Sequence, residues 1–216
     1  MKKLLREKNY QKLKNKIICG DLKPGVRLTE RELIPLLNTS KTPIRESLRQ
    51  LESEGFVEII PNKGARVANI SVDKLINIYD ILAALEGMSV EISTPTMTSN
   101  DIKTLWKMHD EMQKIDSNKD PGTYVKLNNK FHCFFAQKSN NNKLHHLIID
   151  FGLQVTRYRV IISTIQGTQK QYHNQHESLL LAVEKRDSVI AGNLMKEHVL
   201  KAKNNLVNYL NKIPSF

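Results

Sequence analysis

The sequence has little cysteine and no long apolar run. Among its 216 residues are only two cysteines, Cys19 and Cys133, which lie far apart and lack metal-ligand spacing. Free thiols in a cytosolic protein are the simpler interpretation, and a disulfide is the alternative. The apolar runs are far shorter than the ~20 residues that a membrane span needs. No apolar stretch follows the basic N-terminus, so we expect no secretory signal and a cytoplasmic location.

Motifs that bind nucleotide phosphates are also missing, because the chain contains neither a G-x-G-x-x-G fingerprint nor a phosphate-binding loop. The composition is otherwise that of an ordinary soluble protein, with 40% apolar and 25% charged residues. These fractions argue against general disorder and against a fibre. The length allows one or two domains.

Positive charge is what the chain has in excess, with a formal net charge of +11. Residues 1–70 contain 15 Lys/Arg and 8 Asp/Glu, a net of +7, whereas residues 71–216 contain 18 and 14, a net of +4. A small basic domain joined to a more neutral one indicates an anionic partner for the first. A solvated lysine-rich surface is the alternative. An anionic membrane is a weaker candidate, because no basic helix has a broad apolar face.

Apolar spacing predicts three short helices in the first domain, the first over residues 10–18. Thr29 opens a capping box with the glutamate three residues later, which predicts the start of the second helix. Pro35 is awkward in that helix because it has no N–H group, and we expect it to be tolerated near the first turn. Thr42 and Pro43 predict the third helix, as N-cap and first helical residue.

Two strands follow the third helix, over residues 56–60 and 65–68, with a turn at 61–64. Three helices followed by a β-hairpin form a winged helix-turn-helix. We therefore predict a winged-helix DNA-binding domain over residues 1–70.

The third helix carries the residue types that DNA recognition needs. Its N-terminal amides favour phosphate, and Arg45 and Arg49 can reach base edges or phosphates in the major groove. Arg31, Lys41 and Lys63 would flank this helix. A small protein-interaction domain with the same fold is the alternative.

Residues 10–70 resemble the DNA-binding domain of GntR-family transcription regulators. The matching segments are GDLKPGVRLTE (20–30), SKTPIRESLRQL (40–51), EGFV (54–57) and NKGA (62–65). The resemblance implies that the DNA contacts fall on Arg31, Ser40, Lys41, Thr42, Arg45, Lys63 and Gly64.

Two residues of this domain depart from the family pattern. Lys41 replaces the usual arginine and loses the bidentate fork for guanine, so we expect a different operator sequence. Pro35 replaces the usual alanine, and we expect it to shorten the second helix.

From residue 71 onward the pattern is almost wholly helical, with about six helices separated by short breaks. We predict an all-α bundle over residues 71–216, which makes the whole chain mainly α. A bundle of this size can bury a core and a central ligand site.

Three histidines of the bundle point inward by helical periodicity: His132, His176 and His198. A single inward histidine is usually a core residue that hydrogen-bonds to a neighbour. Three on different helices form a metal site only if they converge, and inward direction does not establish convergence.

This half resembles the FCD (FadR-type) branch of the GntR family, whose helical domain binds effectors, dimerises and usually holds a divalent metal with one Asp and three His ligands. The resemblance places the three histidines at the ligand positions, but Asn128 occupies the aspartate position. An amide oxygen is neutral and a weaker ligand for a transition metal. Three imidazoles can still hold Zn²⁺ or Ni²⁺. We therefore expect a weakened site, or one that a carboxylate effector completes.

Two further positions concern the effector. Leu82 replaces an arginine common in the family, which would alter the effector pocket. Arg157 and Arg159 occupy positions that the family uses near its ligand, and either can pair with a carboxylate. For each of them a solvated helix face is the alternative.

The leading hypothesis is therefore a ligand-responsive transcription regulator. A homodimer would bind a palindromic double-stranded operator, and a small organic acid near the histidines would change its DNA affinity. One alternative is a regulator that senses the metal without an organic effector, and another is a metal-free domain. A metal-dependent enzyme fused to a DNA-binding domain is less favoured, because no carboxylate beside the histidines in sequence is a convincing general base.

Overall fold

The computed structural model describes residues 2–18, 21–22, 25–61, 63–68 and 71–212. It divides into two compact units, residues 1–70 and 71–216. Cys19 and the side chain of Arg157 lie outside the described residues. No helix among the described residues is long and apolar enough to cross a membrane.

The first unit contains three helices and a small antiparallel sheet, and its strand order is β1-β3-β2. Its core is formed by apolar residues from all of these elements, such as Leu13, Ile44 and Val67, each almost fully buried. Strand β1 was not predicted, because two residues are too few to show a period. The elements are α1 (Lys2–Ile18), β1 (Arg27–Leu28), α2 (Glu30–Leu37), α3 (Lys41–Ser53), β2 (Val57–Ile60) and β3 (Gly64–Val67).

Helix α2 begins as its sequence predicts. The Thr29 side chain accepts a hydrogen bond from the Glu32 backbone N–H, and the Glu32 side chain accepts one from the Thr29 backbone, which confirms the capping box. The expected position of Pro35 near the first turn is wrong, because it is the sixth residue of α2. Helix α2 ends two residues after Pro35, and its C-cap is the left-handed Asn38.

The start of α3 also differs from the prediction. The N-cap is Ser40 rather than Thr42, so Pro43 is the third helical residue rather than the first. Both positions suit proline, because the first N–H groups of a helix have no partner within the helix. Lys41 and Thr42 consequently lie in the first turn of α3.

The second unit contains six α-helices among its described residues. Helix α4 packs along α9 and also contacts α6 and α7. Gly87 and Gly192 allow the close approach, since a β-carbon at Gly87 would lie 2.9 Å from the Gly192 carbonyl oxygen. A short 3-10 turn, Thr94–Thr96, follows the first of these helices. The six α-helices of this unit are α4 (Val72–Ser93), α5 (Ser99–Gln113), α6 (Pro121–Lys138), α7 (Asn142–Ser163), α8 (Thr168–Glu184) and α9 (Ser188–Leu210).

Candidate functional site

The three inward histidines come together in the core of the second unit. His132 lies on α6, His176 on α8 and His198 on α9, and all three are buried. One ligand nitrogen from each lies within 4.8 Å of the other two. The convergence that helical periodicity left open is therefore present.

Two buried partners fix the orientation of these rings. His132 Nδ1–H donates to Glu86 Oε2 at 2.5 Å, and His198 Nδ1–H donates to Gln175 Oε1 at 2.9 Å. In a neutral ring, each bond places the lone pair on the Nε2 atom. Partners of this kind orient histidine ligands and set their tautomer in metal sites.

The environment keeps two of the three rings neutral. Burial lowers the pKa of His176 well below its ordinary value, and neighbouring histidines lower that pKa further. Burial, followed by the charge of His132, lowers the pKa of His198 to about 3. Neutral imidazole is the form that binds a metal ion.

Two ring nitrogens of the cluster are buried without a hydrogen-bond partner in the described part of the chain. His132 Nε2 and His176 Nδ1 are buried and have no hydrogen-bond partner among the residues that the structure describes. His176 Nε2 lies 3.2 Å from His198 Nε2, which brings two potential ligand atoms close together. A buried unpaired nitrogen costs about 1–3 kcal/mol, and an ion bound at His132 Nε2 would remove that cost for His132. The donor set fits a borderline metal such as Zn²⁺.

A cavity lined by His132 and His198, but not by His176, also has Asn128 and Arg159 on its wall. Asn128 on this wall is the predicted weak fourth ligand. The space open to a water-sized molecule is about 30 Å³, enough for a water or an ion. The polar lining residues are Tyr79, Asn128, Tyr124, His132, Arg159, Ser163, Tyr172 and His198.

Glu86 is the buried residue that sequence reasoning missed. Its side chain is 1% exposed, and Arg159 Nη2 donates to its Oε1 at 2.9 Å. Burial alone would raise the pKa of Glu86, but the charges of His132 and Arg159 and their hydrogen bonds lower it to about 2. Helical spacing carried the signal, because Glu86 follows the buried Leu82 by four residues.

Arg159 is not part of a solvated helix face, so that alternative is wrong for this residue. Its side chain is only 11% exposed. Its Nη1 donates to Asn129 Oδ1 at 2.6 Å, in addition to the bond with Glu86. Arg159 therefore reaches the cavity with its guanidinium already held in place.

A basic groove lies between α3 and the β-hairpin of the first unit. Four of the predicted DNA-binding residues line it, together with Arg27, which was not predicted. Glu30 also lines the groove, and Arg45 Nε donates to Glu30 Oε1 at 2.5 Å. The four predicted residues in the groove are Arg45, Arg49, Lys63 and Gly64.

The remaining predicted DNA contacts lie at the starts of two helices rather than in the groove. Arg31 is in the first turn of α2, Ser40 is the N-cap of α3, and Lys41 and Thr42 follow it. All four are exposed. Their backbone position at helix N-termini suits phosphate contacts.

The sequence of each unit matches a known protein family. The FCD domain matches residues 77–201, more than half of the chain, and the family of bacterial regulatory proteins called gntR matches residues 5–67. The chain belongs to the GntR family, with an FCD domain at its C-terminal side.

Relatives of this GntR-family protein are transcriptional regulators rather than enzymes. The regulator YdhC of Bacillus subtilis is 27% identical over 205 residues, which cover 94% of this chain and 90% of YdhC. The transcriptional repressor GlaR of Escherichia coli is 28% identical, covering 88% of this chain and 90% of GlaR. This GntR-family protein is accordingly a DNA-binding transcription regulator, and the enzyme alternative is set aside.

The fold of the GntR-family chain is shared with solved structures. Its similarity to E. coli McbR/YncC has a TM-score of 0.82 at 22% identity, covering 96% of this chain and 99% of that chain. The mainly α architecture, with a winged helix-turn-helix and a helical FCD domain, is confirmed.

Proposed function

We propose that this regulator changes its DNA affinity when a small carboxylate binds beside a divalent metal, Zn²⁺ or Ni²⁺. His132, His176 and His198 would hold the metal, with Asn128 as a weak fourth ligand. The convergence of three buried imidazoles, two with unpaired nitrogens, is the observation that carries the proposal. The metal would supply a Lewis-acidic attachment point for the carboxylate.

Arg159 is the candidate for orienting that carboxylate, because it lines the same cavity as His132 and His198. The proposed role of Arg157 is carried only by its position in the sequence. A bound carboxylate changes DNA affinity only if it binds one geometry of the protein better than another.

We further propose that the regulator acts as a homodimer on a palindromic operator, with half-sites about one helical turn apart. An apolar stripe on α4 supports a second copy as partner. Ile81, Met88 and Ile92 share one face of this helix and are 45%, 51% and 38% exposed. Exposed apolar stripes of this kind mark interaction surfaces.

The DNA interface is tested by Arg45→Ala in the full-length protein. Arg45 lies in the groove with its side chain 63% exposed, so its removal should not disturb the core. We expect operator affinity to fall by about 1–3 kcal/mol, measured by fluorescence anisotropy. Arg66→Ala is the matched control, because Arg66 is exposed, pairs with Glu58 and does not line the groove. Equal affinities of wild type and Arg45→Ala would contradict the assigned interface.

The metal centre is tested by elemental mass spectrometry on protein purified without an affinity tag. We expect close to one equivalent of a divalent transition metal per chain, and His176→Ala should remove it. Less than about a tenth of an equivalent in the wild type, before and after incubation with Zn²⁺ or Ni²⁺, would exclude the metal from the proposal.

A regulator that senses the metal itself is the second candidate function. The space of about 30 Å³ beside His132 and His198 favours it, because this volume is that of a water or an ion rather than of a metabolite. In this case chelation alone should change DNA affinity, and added metal alone should restore it. A requirement for an organic acid in the same anisotropy titration would favour the first candidate.

A further inference from the structure

One buried carboxylate lies between the histidine cluster and the cavity arginine. Glu86 accepts a hydrogen bond from His132 Nδ1–H through Oε2 and another from Arg159 Nη2 through Oε1, at 2.5 Å and 2.9 Å. Both oxygens are therefore engaged, one by each neighbour. The Glu86 side chain is 1% exposed, so water screens neither contact effectively.

The two neighbours of Glu86 compete for its negative charge. A carboxylate that accepts from Nδ1–H makes the opposite nitrogen of the imidazole a better metal ligand. A guanidinium on the other oxygen of the same carboxylate draws charge away from that bond. Hydrogen bonds in a buried network influence one another in this manner, because the local dielectric constant is low.

Arg159 also faces the cavity, whereas Glu86 does not line it. An anion in the cavity can therefore contact Arg159 without touching Glu86. Pairing with that anion would neutralise part of the guanidinium charge and return negative charge density to the bond between Glu86 and His132.

We propose that Glu86 is a positioning residue that couples Arg159 to the metal affinity of the histidine cluster. An anion bound at Arg159 and a metal bound at the histidines then strengthen each other's binding, as linkage requires. The inference rests on the proposed metal centre and adds to it a defined route by which a ligand signal reaches the metal.

A double-mutant cycle on Zn²⁺ affinity tests the coupling, with competition against a chromophoric chelator as the measurement. Glu86→Gln should weaken Zn²⁺ binding by about 10–100-fold. Arg159→Gln should raise the Zn²⁺ affinity by about fivefold or more, because Glu86 then accepts a hydrogen bond from His132 and none from Arg159. In the Glu86→Gln background, Arg159→Gln should have no such effect.

Glu86→Gln leaves Arg159 buried without its counter-ion, a change that can prevent folding. The double variant Glu86→Gln/Arg159→Gln removes both charges and keeps the two side chains polar. Its comparison with Arg159→Gln alone isolates the support that Glu86 gives to His132, and the expected loss is again about 10–100-fold. Asp80→Asn is the matched control, because it removes an exposed carboxylate of α4 that pairs with Lys203.

Each outcome has one meaning. Absence of Zn²⁺ binding by the wild type overturns both the metal centre and the coupling. Wild-type binding with unchanged affinity in Glu86→Gln or in the double variant overturns the coupling alone. An equal gain from Arg159→Gln in both backgrounds indicates direct repulsion of the ion by Arg159, and it overturns the role of Glu86.

The proposed effect of an anion on metal affinity is tested with acetate as the probe. The chromophoric chelator is calibrated in the same acetate buffer. Acetate should raise the Zn²⁺ affinity of the wild type and leave that of Arg159→Gln unchanged. Equal effects on both proteins, or none on the wild type, would overturn the cooperation between anion and metal.

Discussion

At Gly64 the backbone has a φ of +88°, and a β-carbon would lie 2.5 Å from the Leu28 carbonyl oxygen. Gly64 begins β3, and the next residue pairs with Leu28 across the sheet. Glycine is therefore required here both for its conformation and for the close approach of β1.

Gly64→Ala should consequently loosen the β-hairpin by about 1–3 kcal/mol. Hydrogen exchange of the β2 and β3 amides measures this change. Gly25→Ala is the control, because Gly25 also has a positive φ but none of the described residues beyond its chain neighbours has an atom within 4 Å of its β-carbon position. Equal protection of the hairpin in both variants would show that the contact with Leu28 has no energetic role.

Single residues also show how far the sequence predicts the candidate metal site. Spacing along each helix placed His132, His176 and His198 on inner faces, because direction depends on local geometry alone. Their mutual distance depends on how α6, α8 and α9 pack, and no local pattern encodes that. Glu86 lies on a fourth helix and was missed because its partners, His132 and Arg159, are distant in sequence.

The N-terminal caps of α2 and α3 differ in the hydrogen bonds that they make. In α2 the Thr29 side chain accepts from Glu32 N–H at 3.3 Å, and Glu32 Oε2 accepts from Thr29 N–H at 3.2 Å. At α3 the corresponding Ser40 side chain makes no capping hydrogen bond among the described residues. The same type of residue therefore contributes differently at the two helix starts.

Thr29→Ala should lower the free energy of unfolding of the first unit by about 1 kcal/mol, because the N-cap acceptor is lost. Ser40→Ala should change it by less than about 0.5 kcal/mol, as for an ordinary exposed position. Urea unfolding followed by circular dichroism measures both values. A larger loss for Ser40→Ala than for Thr29→Ala would reverse the assignment of the caps.

Element boundaries were the least predictable part of the fold. The Thr42-Pro43 pair marked a helix start correctly but two residues late, because proline is compatible with any of the first helical positions. Pro35 lies within α2, where packing of Leu33 and Leu37 outweighs the lost hydrogen bond. Packing of apolar side chains, rather than local propensity, therefore sets the position of Pro35 within α2.

On the scale of the whole molecule, charge and burial separate the two roles. Residues 1–70 carry most of the excess positive charge, and their candidate DNA contacts are largely exposed. Residues 71–216 instead bury three histidines and the ion pair of Glu86 with Arg159. This division predicts that added salt mainly weakens the DNA affinity of the first unit. It also predicts that low pH mainly lowers the stability of the helical domain.

The metal-free protein should lose stability as pH falls below about 6.5. His176 has a pKa well below its ordinary value in the folded state, and that of His198 is about 3, so both remain neutral while the unfolded chain takes up protons. The unfolded state then binds more protons, and the free energy of unfolding decreases on acidification until the folded-state pKa values are reached. Between about pH 7.5 and pH 5.5 we expect a loss of about 3 kcal/mol from these two residues.

Urea unfolding in the presence of a chelator, at several pH values, measures this loss. His176→Gln should reduce the pH dependence, because it removes one of the two buried groups, whereas His146→Gln, on an exposed residue, should not. With Zn²⁺ bound, the decline should be steeper, because protons must also displace the metal from the imidazoles. A free energy of unfolding that is constant over this range would mean that both histidines accept protons without unfolding, and the buried neutral cluster would then be an incorrect description of the folded protein.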